Sequence, residues 1–575
     1  MNEINYTVSF NKPFTHYCEV EISLKDLKND NVIFSMPVWT PGSYLIREFA
    51  KNVEGVYALN SAGVKLNCEK INKNSWQIDC KTEREVNFRY RVYCNELTVR
   101  TSEINSEHAF LSSSGIFMFV RGFENKKCIV NLNLPEEWKK ASTGLTKISE
   151  TTYEAENYDI LVDSPIETGN QNIIEFEING IKHSIALCGK GNYDEKVLIK
   201  DFKTIAEEEI KLFGGEIPYK SYTYIIHLVE QGGGGLEHLN SFVVQIPRWA
   251  FTDKSLYKKF LGLVSHEFFH LWNVKRIRPE ALGPFDYDNE NHSKGLWVAE
   301  GWTSFYDNLI LRRCNLISNE EYYEFLDSEV NDVMRTEGRL QQSLEESSFD
   351  AWIKFYRKDE NYSNAQVSYY TKGSLVALML NLEIIKSTDS ERSLDDALRL
   401  LYEDYKKDNS KGYSDKRVKE ICSNVCGKDL DFFWKKYISG TDDLPVNEYL
   451  NFAGLEMLNT NDELSAKLDV EIKDDNGRVV ITKVIAGYSA FESGLNFNDE
   501  IIAINGIRVK TSNLKNITKD LKIGEEIKVL ISRKGLIMEL EVKLLMPVPN
   551  YSVAEMEDTN AEQNKILSKW LTGIN

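Results

Sequence analysis

Residues 265–272 read SHEFFHLW, and this stretch decides the architecture around it. His266 and His270 stand four apart. On an α-helix four residues turn through about 400° and rise about 6 Å, so both imidazoles fall on one face. That spacing suits two corners of a tetrahedral zinc site. Glu267 follows the first histidine and is suited to act as general base on a water at that site. Upstream, LYKKFLGLV at 256–264 supplies the helix and its apolar backing. The chain has eight histidines. A pattern of this kind arises by chance in about one such chain in a hundred, which favours zinc over two histidines merely satisfied on a core helix.

A catalytic zinc takes three protein ligands and keeps one position open. The third candidate is Glu300, at the start of a helical pattern in LWVAEGWTSFYDNLILRR at 296–313. An acid among Trp297, Val298, Trp302 and Phe305 is costly to bury unless it is paired or coordinated. Two other readings stand beside it: a helix N-terminal acid favoured by the dipole, and His292, in the polar stretch DNENHSK, as the ligand instead. The expectation is one zinc ion per chain. Zinc hydrolysis also needs a donor for the developing oxyanion. Tyr370 opens the helical pattern SYYTKGSLVALMLNLEI at 368–384, although on residues alone an aromatic core residue is the stronger reading.

Before the metal helix lies QGGGGLEHLNS at 231–241. Glycines let a substrate backbone approach closely, which makes Gly235 and Leu236 candidate substrate contacts. Glu237 beside a zinc site is suited to a substrate's α-ammonium group; a flexible turn with a solvated Glu is the competing reading. The run lacks the Gly-Lys-Ser/Thr end of a phosphate loop, which excludes nucleotide binding there.

Outward from these motifs the chain changes character three times. Residues 1–170 alternate in segments such as HYCEVEISL and VNFRYRVYC, with turn residues between them, and predict a β-sandwich. Residues 171–450 begin with a helix in KVLIKDFKTIAEEEIKLFG and the strands SYTYIIHLVE and NSFVVQIP, then turn helical: an α/β plus α-helical domain. Residues 451–546 return to short strands, and 547–575 read as a loose tail ending in a helical turn or two.

Length and composition agree with this division. The 575 residues predict about three or four domains at roughly 150 each. An apolar share of 42% lets each bury a core, which excludes a disordered or fibrous chain. The net charge is 69 − 88 = −19, so neither nucleic acid nor an anionic membrane is an expected partner. The nine cysteines are odd in number and loosely spaced, with only Cys422 and Cys426 close together. They read as reduced thiols. The first residues, MNEINYTVSF, lack a secretory leader's pattern, and no apolar run is long enough to span a membrane. The expected location is cytoplasmic.

Together these pieces resemble the glycyl aminopeptidase family of gluzincin zinc metallopeptidases, which carry a C-terminal PDZ domain. HEFFHLWNVKRIRPEAL at 266–282 is similar to the family's metal signature, and LWVAEGWTSFY to its third-ligand stretch. GGLEHLNS stands where related aminopeptidases carry their exopeptidase motif. YTKG at 370–373 is similar to the segment that supplies the oxyanion donor. MPVWTPGSYLIREFAKNV at 36–53 and DFFWKKYISGTDDLPVNEYL at 431–450 resemble the N-terminal domain and the end of the catalytic one. The resemblance implies a thermolysin-like catalytic domain. It implies zinc on His266, His270 and Glu300, Glu267 as base, Tyr370 on the oxyanion and Glu237 on the substrate's free amine. It implies removal of small N-terminal residues, Gly and Ala foremost, from peptides. Two places depart from the pattern. Ser304 stands where related peptidases have an acid that orients a histidine, with Asp307 one turn on. The exopeptidase motif ends Glu237-His238 where Glu-Asn is usual.

AGYSAFESGLNFNDEIIAINGIRV at 486–509 resembles a PDZ core, with Asn498-Asp499 where Gly-Asp is common. Such a domain binds an extended peptide and can hold its C-terminal carboxylate in backbone amides; Phe452-Ala453-Gly454-Leu455 is the candidate loop. Two alternatives remain open: a zinc endopeptidase acting on unfolded peptides, and a non-catalytic peptide-binding scaffold with a structural zinc. An intact Glu267 argues against the scaffold, since a structural site needs no base.

Overall fold

A computed structural model describes residues 3–81, 83–461 and 466–573. It contains two compact units: residues 1–292 with 401–413, and residues 293–400 with 414–575. The protein is multidomain, with a β-rich N-terminal region, a helical region and a C-terminal β region.

The first unit opens with β-structure. Strand Tyr17–Lys25 buries Cys18, Val20, Ile22 and Leu24 and turns the residues between them outward, the period of two that a half-buried strand requires. It belongs to a seven-stranded sheet, accompanied by a five-stranded and a four-stranded one. Phe34 on the four-stranded sheet stacks on Phe88 of the seven-stranded one, with ring centroids 4.0 Å apart, so the two sheets share one core. Next comes a mixed five-stranded sheet in the order Asn172–Ile178, Ile181–Cys188, Ser221–Val229, Ser241–Pro247, Gly235–His238. Gly235–His238 is its edge, antiparallel to Ser241–Pro247. The helices Glu195–Leu212 and Lys254–Phe269 pack together beside it. Each begins at an aspartate, Asp194 or Asp253, whose side chain accepts from a first-turn N–H. Glu167 is fully buried and accepts from His108 and His227, 2.9 Å each. His227 lies on Ser221–Val229, so this carboxylate joins the five-stranded sheet of the N-terminal region to the mixed sheet.

The second unit holds the helices Trp302–Arg313, Asn319–Met334 and Thr371–Ser387 and a small sheet of short strands between Val470 and Lys543. Asn498 takes the left-handed backbone, φ +66°, that the sequence comparison with Gly-Asp requires. The buried Asp499 beside it pairs with Arg533 at 2.7 Å.

Two expectations are corrected here. Residues 547–575 are no loose tail. Tyr551–Glu555 pairs with Leu455–Asn459, and Ala561–Thr572 is a helix started by a capping box at Asn560. Ile566, Trp570 and Leu571 share one face and are buried. Truncating a buried Trp costs about 3–5 kcal/mol, so this segment is part of the core. Nor does Phe452–Leu455 lead into the PDZ sheet. Asn451–Ala453 is a 3-10 turn ended by Gly454, and Leu455 begins the strand paired with Tyr551–Glu555. The loop before the PDZ edge strand is Ala466–Asp469. Among the described residues no helix is long and apolar enough to cross a membrane.

Candidate active site

In the first unit the helix Lys254–Phe269, with His270 as its C-cap, carries the histidine pair. The rings of His266 and His270 stand 4.7 Å apart, edge to face. His270 Nδ1 lies 2.6 Å from the Asn273 carbonyl. That bond takes the proton on Nδ1 and leaves the lone pair on Nε2, the state a metal ligand requires. The chain turns back directly after the helix, so a backbone carbonyl here orients the histidine.

The edge strand Gly235–His238 runs over this helix. Its residues alternate, so Gly235 and Glu237 share a face while Leu236 turns the other way. A Cβ on Gly235 would overlap the Glu267 carboxylate, so glycine is required there for the strand to come so close. A Cβ on Gly42, which has φ +88°, would likewise overlap Glu237. Glu237, Glu267 and His270 each bring a ligand-capable atom within 4.8 Å of the others. Glu237 is 3% exposed, and its Oε1 has no hydrogen-bond partner among the described residues. Lys275 Nζ lies 4.0 Å from that oxygen. Leu236 packs its side chain into a core with Phe110, Ile225 and Val243, leaving only its backbone for a substrate.

Asp163 holds this end of the strand. It pairs with Lys275 at 2.7 Å and accepts from the Leu239 N–H at 2.9 Å, and His238 Nδ1 lies 3.2 Å away. Burial alone would raise its carboxyl, but Lys275 and His238 outweigh that and hold it below the usual carboxylate range. His238, in place of asparagine, thus anchors the strand. Neither Asp163 nor Lys275 is singled out by the sequence reading; only the basic NVKRIRP run contains a hint of Lys275.

In the second unit Glu300 sits on a π-helical turn, Trp297–Gly301, that runs into the helix Trp302–Arg313. It is 2% exposed. π-turns recur at functional sites because they re-aim one side chain from a helix. Gly301 packs on Gly373, and a Cβ on Gly301 would clash with Gly373 Cα. That contact brings the turn against the start of Thr371–Ser387. Tyr370 precedes this helix, partly buried, with its hydroxyl 3.3 Å from that of Tyr356. Burial first, and then the Glu300 carboxylate, push the Tyr370 phenol well up, so it stays a hydrogen-bond donor. Lys372 is fully buried and donates to the Arg339 carbonyl at 3.0 Å, a structural role. Glu329 is missed by the sequence reading. Burial, reinforced by Asp307, pushes it up to about 8, and it accepts from Ser374 at 2.7 Å.

Family models match residues 5–170 as the peptidase M61 N-terminal domain, 259–376 as M61 glycyl aminopeptidase and 466–544 as a PDZ domain. A crystal structure of an aminopeptidase N family protein from Idiomarina loihiensis is 30% identical, covers 99% of this chain and 100% of its own, and superposes with a TM-score of 0.91. The chain belongs to the M61 glycyl aminopeptidase family. It is therefore a peptidase. A more distant likeness, 10% identical with a TM-score of 0.47, is an M1 zinc metallopeptidase from Deinococcus radiodurans, covering 77% of the peptidase and 95% of that chain. No curated protein matches.

The peptidase's Gly235 gives a direct test of the strand–helix contact. Gly235→Ala is expected to displace Glu267 and, if Glu267 serves as the base, to lower kcat by about 100-fold, the scale of an ångström's misplacement. The far-UV circular dichroism spectrum should be unchanged. Undiminished kcat would show that the contact does not position Glu267.

Proposed function

We propose that this chain is a zinc aminopeptidase that removes small N-terminal residues, glycine and alanine foremost, from peptides. His266, His270 and Glu300 would hold one zinc ion per chain. Two points support that fit. The proton on His270 Nδ1 is committed to a backbone carbonyl, and Glu300 is a carboxylate buried among Trp297, Val298 and Trp302. A His2Glu set with an open position is a catalytic zinc set. When bound, zinc supplies a Lewis acid toward the scissile carbonyl and makes water more acidic.

The protein's own groups would then do the following. Glu267 takes a proton from the attacking water and passes it to the leaving amine. Tyr370, kept protonated, donates to the oxyanion. Glu237 receives the substrate's α-ammonium group, while Gly235 and the backbone of Leu236 lie along the peptide. The observation that carries this reading is the buried, unsatisfied Oε1 of Glu237 in the same cluster as Glu267. A buried carboxylate oxygen without a hydrogen bond costs stability until a donor reaches it, and an arriving ammonium is such a donor. The preference for small residues rests on the family's glycyl specificity.

Residues 1–170 and 171–450 would serve as support and catalytic domain, the stretch between Asn459 and Tyr551 as the PDZ domain, and the paired strands Leu455–Asn459 and Tyr551–Glu555 with the last helix as a closing segment. Nine free cysteines suit a reducing, cytoplasmic setting.

One observation favours a second reading, an endopeptidase on unfolded peptides. Lys275 already stands 4.0 Å from Glu237 and competes with a substrate amine. One experiment separates the two: mass-spectrometric digestion of a Gly-Ala-rich peptide with a free or an acetylated N-terminus. Stepwise loss of single residues from the free form alone is the expected result. Internal cleavage of both forms would make this an endopeptidase.

A further inference from the structure

A cleft of about 350 Å3 runs between the strand Val470–Asp475 and the short helix Leu514–Thr518. That strand ends the PDZ sheet and, among the described residues, pairs on one side only, with Arg478–Val484. Its other edge offers backbone donors and acceptors that an extended peptide can take up as an added strand. Leu468, Val470, Ile485 and Leu514 give the cleft an apolar wall for alternate side chains.

To seat a peptide C-terminus, such a domain holds its carboxylate on backbone amides of the loop before this strand. Here that loop contains Asp469, with φ +55°. One of its carboxylate oxygens accepts from the Val548 N–H at 3.2 Å. The other is buried without a hydrogen-bond partner among the described residues, and Asp469 lines the cleft. Burial pushes the Asp469 carboxyl up to about 6, which leaves it ionised near neutral pH. A peptide carboxylate arriving there meets a like charge. Val548 adds a second obstacle. Its carbonyl accepts from Asn461 Nδ2 at 2.8 Å, so its backbone is fixed from both sides as a wall of the cleft.

The cleft does not stop at this end. Arg335, Glu471 and Lys483 line it and also line a second cleft of about 600 Å3 along the helix Asn319–Met334. A chain lying on Val470–Asp475 therefore has room to continue past the point where a C-terminus would halt.

We propose that the PDZ cleft takes an extended stretch from the interior of a peptide and does not read a C-terminal carboxylate. The test uses the full chain carrying Glu267→Gln, so that the probe is not consumed. The probe is a fluorescein-labelled Val-Ala-rich peptide of about twelve residues, spanning about 40 Å when extended. Its N-terminus is acetylated, and its C-terminus is either an amide or a free acid. Fluorescence anisotropy is expected to give the two forms affinities within about twofold, where a carboxylate-reading site would lose about tenfold or more on amidation. Leu514→Asp is expected to weaken both by about tenfold. Asp469→Asn is expected to tighten the acid form alone by about fivefold. Should Leu514→Asp unfold the domain, the acid-to-amide ratio and Asp469→Asn still decide. An acid form bound tenfold more tightly by the Asp469 chain, an amide form not bound, or binding insensitive to a folded Leu514→Asp would each overturn the proposal.

Discussion

Glu267→Gln should lower kcat by about a thousandfold or more, the scale of a lost general base and about 4 kcal/mol of barrier. The zinc content of the purified protein, read by elemental mass spectrometry, should not change. The argument is one of shape and charge. Glu267 is 4% exposed, with a Cβ-less Gly235 pressed against its carboxylate. Glutamine keeps the size of the group and so its packing, but cannot accept the water's proton. The proposed ligands, His266, His270 and Glu300, are untouched. Loss of zinc together with activity would mean that Glu267 itself holds the ion. Full activity with zinc retained would remove it from the role of base and revive the scaffold reading.

Glu237→Ala should cost roughly 10- to 100-fold in kcat/KM on peptides with a free N-terminus, the worth of a desolvated charge-assisted pair. Acetylated peptides should change little. The asymmetry follows from the site. Glu237 Oε1 is buried and lacks a hydrogen bond, Gly42 leaves it room, and Lys275 is 4.0 Å off, close enough to balance charge but beyond hydrogen-bond reach. A substrate ammonium completes the pair; an acetyl group cannot. Truncation also strands Lys275 with Asp163 as its carboxylate partner, a pair already made at 2.7 Å, so the fold should tolerate the change. An equal loss on both substrates would show that Glu237 does not read the amine.

The two histidines and Glu267 are legible in the sequence because a helix turns a spacing of four into one shared face, a purely local rule. The PDZ turn at Asn498 is legible for the same reason: a left-handed position admits few residue types. What escapes the sequence depends on distant contacts. The π-turn under Glu300 is braced by Gly301 on Gly373, seventy-two positions later, and no local periodicity announces it. Asp163 gathers Lys275, His238 and Leu239 from two other segments. The loop misread at Phe452–Leu455 shows a different failure. Gly454 does take a left-handed backbone, φ +71°, but spends it on ending a 3-10 turn, while an aspartate takes that conformation in the PDZ loop. The closing helix is a matter of weighting: Ile566, Trp570 and Leu571 show helical spacing, yet a few apolar residues in a polar stretch gain their meaning only from the surface they meet.

The pairing of Leu455–Asn459 with Tyr551–Glu555 has a consequence for how this protein is assembled. Asn459 lies opposite Tyr551, so the strand that leads to the PDZ domain and the strand that leaves it are zipped together at their near ends. The domain is thus a cassette hung on a closed ladder. Joining Asn459 to Tyr551 through a two-residue Asn-Gly hairpin turn would excise it and keep every pairing from Leu455–Glu555 to Asn459–Tyr551, at the loss of the Thr460–Asn550 backbone bond beyond them. Chain geometry leaves this module free to be exchanged, shortened or lost while the helical body keeps its last strand and the helix behind it.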